Sequence, residues 1–170
     1  MPGTSAPGVQ LYKFIYDRRY SDARAFGVAA EPGYSRAGTV AIDGDVTALW
    51  SRDLRGQWLA GGGAIAGMIT ARTLFCLEQL AKDHWMRVLV RADHALAEGH
   101  EIAHQLIAPE AMVTRMRSAL VAADWPVQLP AALASCPVKD GAPRLSTRFT
   151  LAGGRRSAPT QPTLVSFVIA

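Results

Sequence analysis

The sequence predicts an α/β domain of three layers. The expected sheet is mixed and mostly parallel, flavodoxin-like or Rossmann-like in order, with an appended β-hairpin and a C-terminal strand. Three observations predict it. Short apolar runs alternate with helical patterns through the first half of the chain. The pattern changes to a period of two after residue 87, and the chain closes on a second apolar run over residues 163–169.

Residues 11–16 (LYKFIY) are aromatic and β-branched, which suits a strand. Ser21 can cap a helix that runs to Ala30 and stops at Pro32 and Gly33. Residues 39–42 form the second strand. Residues 46–58 carry Leu49, Trp50, Leu54 and Trp58 near helical spacing until Gly61, Gly62 and Gly63 break the run. Residues 64–69 form the third strand. Thr70 then caps the clearest helix, with Leu74, Leu77, Leu80 and Ala81 on one stripe and Glu78, Lys82 and Asp83 opposite. Cys76, two turns into that helix, is expected in the core. Residues 87–92 form a fourth strand, parallel to the first three. Short strand–helix units require right-handed crossovers, which place helices on both faces. A 2-1-3 strand order puts the topological switch point between strands one and three.

Residues 100–107 alternate, with Ile102, His104 and Leu106 on one side and Ala103, Gln105 and Ile107 on the other. Together with residues 87–93 they predict a hairpin turning at Ala97, Glu98 and Gly99, with His94 opposite His100. Pro109 and Glu110 open a helix to about Ala123 whose inner face carries Met112, Met116 and Leu120, and a short helix is expected over residues 130–135. Residues 138–162 are rich in Gly, Pro, Ser, Thr and Arg, and are expected to be an irregular excursion ordered only by another chain. The domain plan is a flexible leader over 1–10, the α/β domain over 11–137, the excursion, and a strand over 163–170 that returns to the sheet.

Composition narrows the function classes. Hydrophobic residues make up 49 % and charged residues 19 %, which excludes a disordered chain. The net charge is +4, from three Lys and fifteen Arg against 14 acidic residues. These cations are scattered, so no nucleic-acid stripe forms. No apolar run reaches the ~18 residues of a membrane span. Residues 1–10 have neither a basic start nor an apolar centre, unlike a signal peptide. Cys76 and Cys136 either pair in an oxidising compartment or are buried free thiols.

The segments 16–20 (YDRRY), 44–50 (GDVTALW), 74–81 (LFCLEQLA) and 164–169 (LVSFVI) resemble an uncharacterised family of small proteobacterial proteins. The resemblance covers most of the chain. Members are often labelled with a twin-arginine export signal, so the resemblance implies a folded, exported, periplasmic protein. It implies no reaction and no catalytic residue.

In an open α/β sheet ligands bind beyond the carboxyl ends of the parallel strands. That crevice is expected to gather Asp17, Arg18, Asp43, Asp45, Thr70, Arg72, Asp93 and His94. Each has two readings. Thr70 is a ligand-binding hydroxyl or a helix cap. Arg18 and Arg72 hold a small anion with the helix start at Thr70, or pair with Asp17 and Asp45. His94 and Asp45 are the candidate catalytic groups, since an imidazole beside Asp93 can move a proton near neutral pH. Metal is not expected: Asp43 and Asp45 are too few for a calcium loop. His100 and His104 lie about 13 Å apart along a strand at ~3.3 Å per residue. No cofactor is expected either, because the glycines at 61–63 precede a strand, whereas a phosphate-binding loop follows one and opens a helix.

Two functions follow. The first is a non-catalytic binding or accessory subunit that docks on a larger protein partner, such as an exported enzyme. The second is a small enzyme or anionic-ligand-binding protein working at the crevice.

Overall fold

The computed structural model describes residues 9–33, 37–97, 101–137, 143–151 and 162–170. Its elements run β1 (Leu11–Asp17), α1 (Ser21–Gly33), β2 (Gly38–Ile42), α2 (Thr47–Leu49), a π-helical turn (Trp50–Leu54), α3 (Arg55–Leu59), β3 (Ala64–Thr70) and α4 (Ala71–Lys82). The second half adds β4 (Val88–Leu96), β5 (Ile102–Pro109), α5 (Glu110–Leu120), α6 (Trp125–Ala134), β6 (Arg144–Leu151) and β7 (Leu164–Ile169).

The strands form one open sheet in the order β2-β1-β3-β7-β4-β5-β6. The expected 2-1-3 arrangement is present, with β1 parallel to both β2 and β3. The sheet is not mostly parallel, however. Four of the six described pairings are antiparallel. The strand over 88–96 does run in the direction of the first three, but β7 lies between it and β3. The reason is burial. Every residue of β7 is buried, and its apolar side chains enter both cores. A strand apolar on both faces belongs at the centre of a covered sheet.

Two cores result. Phe14, Phe26, Met68, Met116, Trp125 and Leu129 are among the side chains that join α1, α5 and α6 to one face. Ile15, Leu54, Trp58, Ile69, Leu77 and Phe167 join the α2–α3 run and α4 to the other. Helices therefore cover both faces of the parallel half.

Several expectations need correction. α1 continues through Pro32 to Gly33, because a proline in the last turn removes only one terminal hydrogen bond. Cys76 is exposed and Cys136 is buried, both as free thiols. The inner stripe of α4 is Thr73, Leu74, Leu77 and Ala81, and Cys76 lies about 200° from Leu74 at ~100° per residue. α6 begins at Trp125 rather than near Pro130, with Pro126 tolerated in the first turn. Residues 144–151 of the expected excursion form β6, paired along β5 of the same chain. An edge strand needs only one packed face, and here Thr147 and Phe149 are half-buried at period two, with Phe149 against the core, while Leu145 is exposed. The flanking residues 138–142 and 152–161 lie outside the described residues.

The hairpin register also differs. His94 faces His104, not His100, which lies outside the described residues. Every partner on β5 thus lies four residues further along than expected. That shift keeps Ile102, His104 and Leu106 on the packed side, where all three are buried.

Candidate functional site

The parallel strands β1, β2 and β3 end together, and the loops after them form the expected crevice. Asp17, the last residue of β1, is fully buried. It accepts bonds from the Arg19 backbone N–H (3.2 Å), Nε (2.9 Å) and Nη2 (2.7 Å). That bidentate pair raises the Arg19 pKa above its usual value. Gly44 has a φ of 86°, and the Arg19 guanidinium fills the space that a Cβ there would need. Arg18 makes a second fork, from Nε to Asp43 Oδ1 (2.6 Å) and from Nη2 to Oδ2. The pair is exposed; Arg18 holds the Asp43 carboxyl below its ordinary range. Asp45 Oδ1 accepts the Thr47 backbone N–H at 2.8 Å, and Thr47 likewise lowers the Asp45 pKa.

Thr70 is the cap that the sequence suggests. Its Oγ1 accepts the Thr73 N–H at 3.3 Å. The Thr73 hydroxyl donates to the Gly44 carbonyl (2.9 Å) and lies 2.9 Å from Thr70 Oγ1. A hydroxyl has one proton, so Thr70 must donate to Thr73. This chain ties the start of α4 to the loop after β2.

The anion site expected between Arg18, Thr70 and Arg72 thus finds two of its members engaged. Arg18 is held by Asp43 and Thr70 by Thr73. Arg72 is exposed in the first turn of α4 and has no carboxylate partner among the described residues. It lines a groove of about 510 Å³ between residues 44–50 and α4, beside Asp45, Trp50 and Phe75.

Asp93 and His94 do not join this crevice. Asp93 lies on the opposite face of β4 from His94 and pairs with Arg91 (Nη2 to Oδ1, 3.0 Å). His94 is level with Thr70, since both face Leu164 from either side of β7. Its side chain turns into the core below α6. There Nδ1 lies 2.7 Å from Nδ1 of His104, and Nε2 lies 2.9 Å from Ser166 Oγ. The Trp125 ring covers both imidazoles at centroid distances of 4.5 and 5.0 Å, and Phe149 closes the far side of His104 at 5.6 Å. His104 Nε2 is buried without a hydrogen-bond partner. Burial drives both rings toward the neutral form, His104 to about 4 and His94 well below its usual value, with His104 a smaller contribution to the latter.

Ser166, His94 and His104 have the connectivity of a nucleophile, a base and an orienting group. All three are buried. The cavity beside His94, lined by Asp22, Leu96, Ile102, Trp125 and Leu164, measures about 10 Å³, roughly one water molecule. Ser166 does not line this cavity. Sequence reasoning missed the cluster, although the alternation around His104 and the single hydroxyl within residues 164–169 were its signals.

A second cleft, of about 430 Å³, lies at the amino ends of β1 and β3. Its floor is Gly61, Gly62 and Gly63, with φ of 128°, 96° and 146°, and Tyr12, Gln57 and Met86 line it. Nearby, Asp53 accepts bonds from Tyr12 and Lys13. Burial opposes the Asp53 charge, but Lys13 and Tyr12 outweigh it and lower the carboxyl pKa. The turn after α4 borders this cleft. Trp85 N–H donates to the Lys82 carbonyl (3.2 Å) and Met86 N–H to that of Ala81 (3.0 Å), a Schellman pattern with Trp85 in the left-handed position.

Among the described residues no helix is long and apolar enough to cross a membrane, and no three His, Cys, Asp or Glu side chains group as metal ligands. No family model, curated protein or solved structure matches this chain.

Proposed function

We propose that this chain is a non-catalytic binding domain, an accessory subunit that docks on a larger protein partner through the cleft at the amino ends of β1 and β3. Trp85 carries the reading. It holds a φ of 61° and stands 95 % exposed. That turn position favours glycine, and a bulky residue there costs about 1–2 kcal/mol. Among the described residues no burial of the indole offsets this cost. Met86, its neighbour, lines the cleft, and Leu59, 67 % exposed, precedes the glycines that floor it. A floor without side chains lets another backbone approach closely. An exposed indole and an exposed leucine, each on a segment that also contributes lining residues to the cleft, suit an apolar segment of a partner chain. Elsewhere, Asp17 and Asp43 are engaged by arginines and His94 and His104 are buried, which supports a role without chemistry. The resemblance to exported proteobacterial proteins adds an exported partner to the same proposal.

The test compares the native chain with Trp85→Gly, each isolated from the source cell by mild extraction and sized by light scattering. The native chain is expected in a hetero-complex well above its own 18.2 kDa. Trp85→Gly is expected as the free chain, although it unfolds later in urea by about 1 kcal/mol. A native chain that elutes alone, or a Trp85→Gly chain retained in the complex, overturns the proposal.

A further inference from the structure

The groove between the α2 region and α4 lies at the other end of the sheet, where open α/β domains take their ligands. Its volume of about 510 Å³ falls in the range of small-molecule sites. Val46, Trp50, Phe75 and Leu80 give it an apolar lining. Phe75 is 60 % exposed, a large apolar side chain left open to solvent. Two charged side chains, Arg72 and Asp45, stand at its edge, and they differ in what they have left to offer. Asp45 accepts the Thr47 N–H, which satisfies part of its charge locally. Arg72 has no carboxylate partner among the described residues, whereas Arg18 and Arg19 in the same crevice each grip one. Arg24 spends its guanidinium on the Arg18 carbonyl, so among the described residues of the crevice Arg72 is the guanidinium that lies beside the apolar lining without a carboxylate or carbonyl contact. A planar fork presents two parallel donors and matches a carboxylate.

We propose that this groove binds an apolar monocarboxylate, its chain laid against Trp50, Phe75 and Leu80 and its carboxylate clasped by Arg72. The anion expected from the sequence therefore sits on Arg72 alone, away from Arg18 and Thr70. The inference is independent of partner docking, which uses the opposite end of the sheet.

Decanoate, decanol and decylamine serve as probes, because they share a chain and differ in charge. Binding to the full chain is followed by calorimetry and by amide shifts. Decanoate is expected to bind one to one, with shifts confined to residues 44–50 and 72–80. Arg72→Gln should weaken decanoate at least tenfold and leave decanol unchanged. Leu80→Asp should weaken both. Trp85→Gly should bind decanoate as the native chain does, which separates this site from the docking cleft. The proposal is overturned by any of three results: no saturable decanoate binding below millimolar concentration, tighter binding of decylamine than of decanoate, or an affinity for decanoate that Arg72→Gln leaves intact.

Discussion

The parallel half of the sheet and its antiparallel half put their polar residues in opposite places. In β1, β2 and β3 the polar groups gather at the strand ends. There they pair with one another, in the open between Arg18 and Asp43 and with a buried carboxylate between Arg19 and Asp17. In β7, β4 and β5 they sit in mid-strand, where the period of two sorts them by face. His94, His104 and Ser166 point into the core, while Asp93 is half-buried and Gln105 exposed on the other side. The same kinds of group consequently have different energetic roles. Pairs in water contribute little, whereas neutral imidazoles in a dry core set a limit on stability at acid pH.

The sharpest way to break that contrast is to remove the roof of the buried cluster. Trp125 is 2 % exposed and touches both histidines. Trp125→Ala should cost about 3–5 kcal/mol in urea unfolding, a large part of a small domain's stability. A cost below about 1 kcal/mol would mean that the cluster is not a core element.

Acid titration sharpens the contrast next. His104 is neutral in the fold to about pH 4, while an unfolded histidine takes its proton near 6.5. The unfolded chain therefore binds protons first. Stability from this group is complete above about pH 6.5 and declines as the pH falls toward 4, by roughly 3 kcal/mol for His104 alone. His94, also depressed, adds to the decline. The double variant His94→Leu/His104→Leu removes both groups, leaving apolar side chains in their place. Its stability difference between pH 7 and pH 4.5 should be smaller than that of the native chain by about 2 kcal/mol or more, measured by urea unfolding at each pH. An unchanged difference would assign the acid sensitivity to the carboxylates of the parallel half.

The smallest effects belong to the crevice. Thr70→Ala removes the cap of α4 and its link to the loop after β2, and should cost about 1 kcal/mol. Arg18→Ala breaks an exposed pair and should leave the urea midpoint unchanged. An Arg18→Ala loss larger than that of Thr70→Ala would reverse the reading of this end of the sheet.

Much of this architecture was legible in advance, because it depends on local chemistry. The strands over 11–16 and 64–69, the cap at Thr70, the break at the three glycines and the 2-1-3 order all follow from turn residues, periodicity and short connections. The crevice residues 17, 18, 43, 45, 70 and 72 came from the same reasoning, since they follow directly on strands. β6 was less legible, as an edge strand shows only a weak alternation of Leu145, Thr147 and Phe149.

Three features were decided by tertiary structure alone. The insertion of β7 between β3 and β4 depends on which sheet edge needs a strand that is apolar on both faces, and no local signal carries that. The His94–His104 contact depends on the register of β4 against β5, which sets residue 104 rather than residue 100 across from His94. Pairing among arginines and carboxylates depends on distances between loops that lie far apart in sequence. The amino-acid sequence by itself determined which residues are strand, helix and crevice, because propensity and periodicity act over a few residues. Which charges are paired and which imidazoles are buried was decided only when strands distant in the chain came to lie side by side.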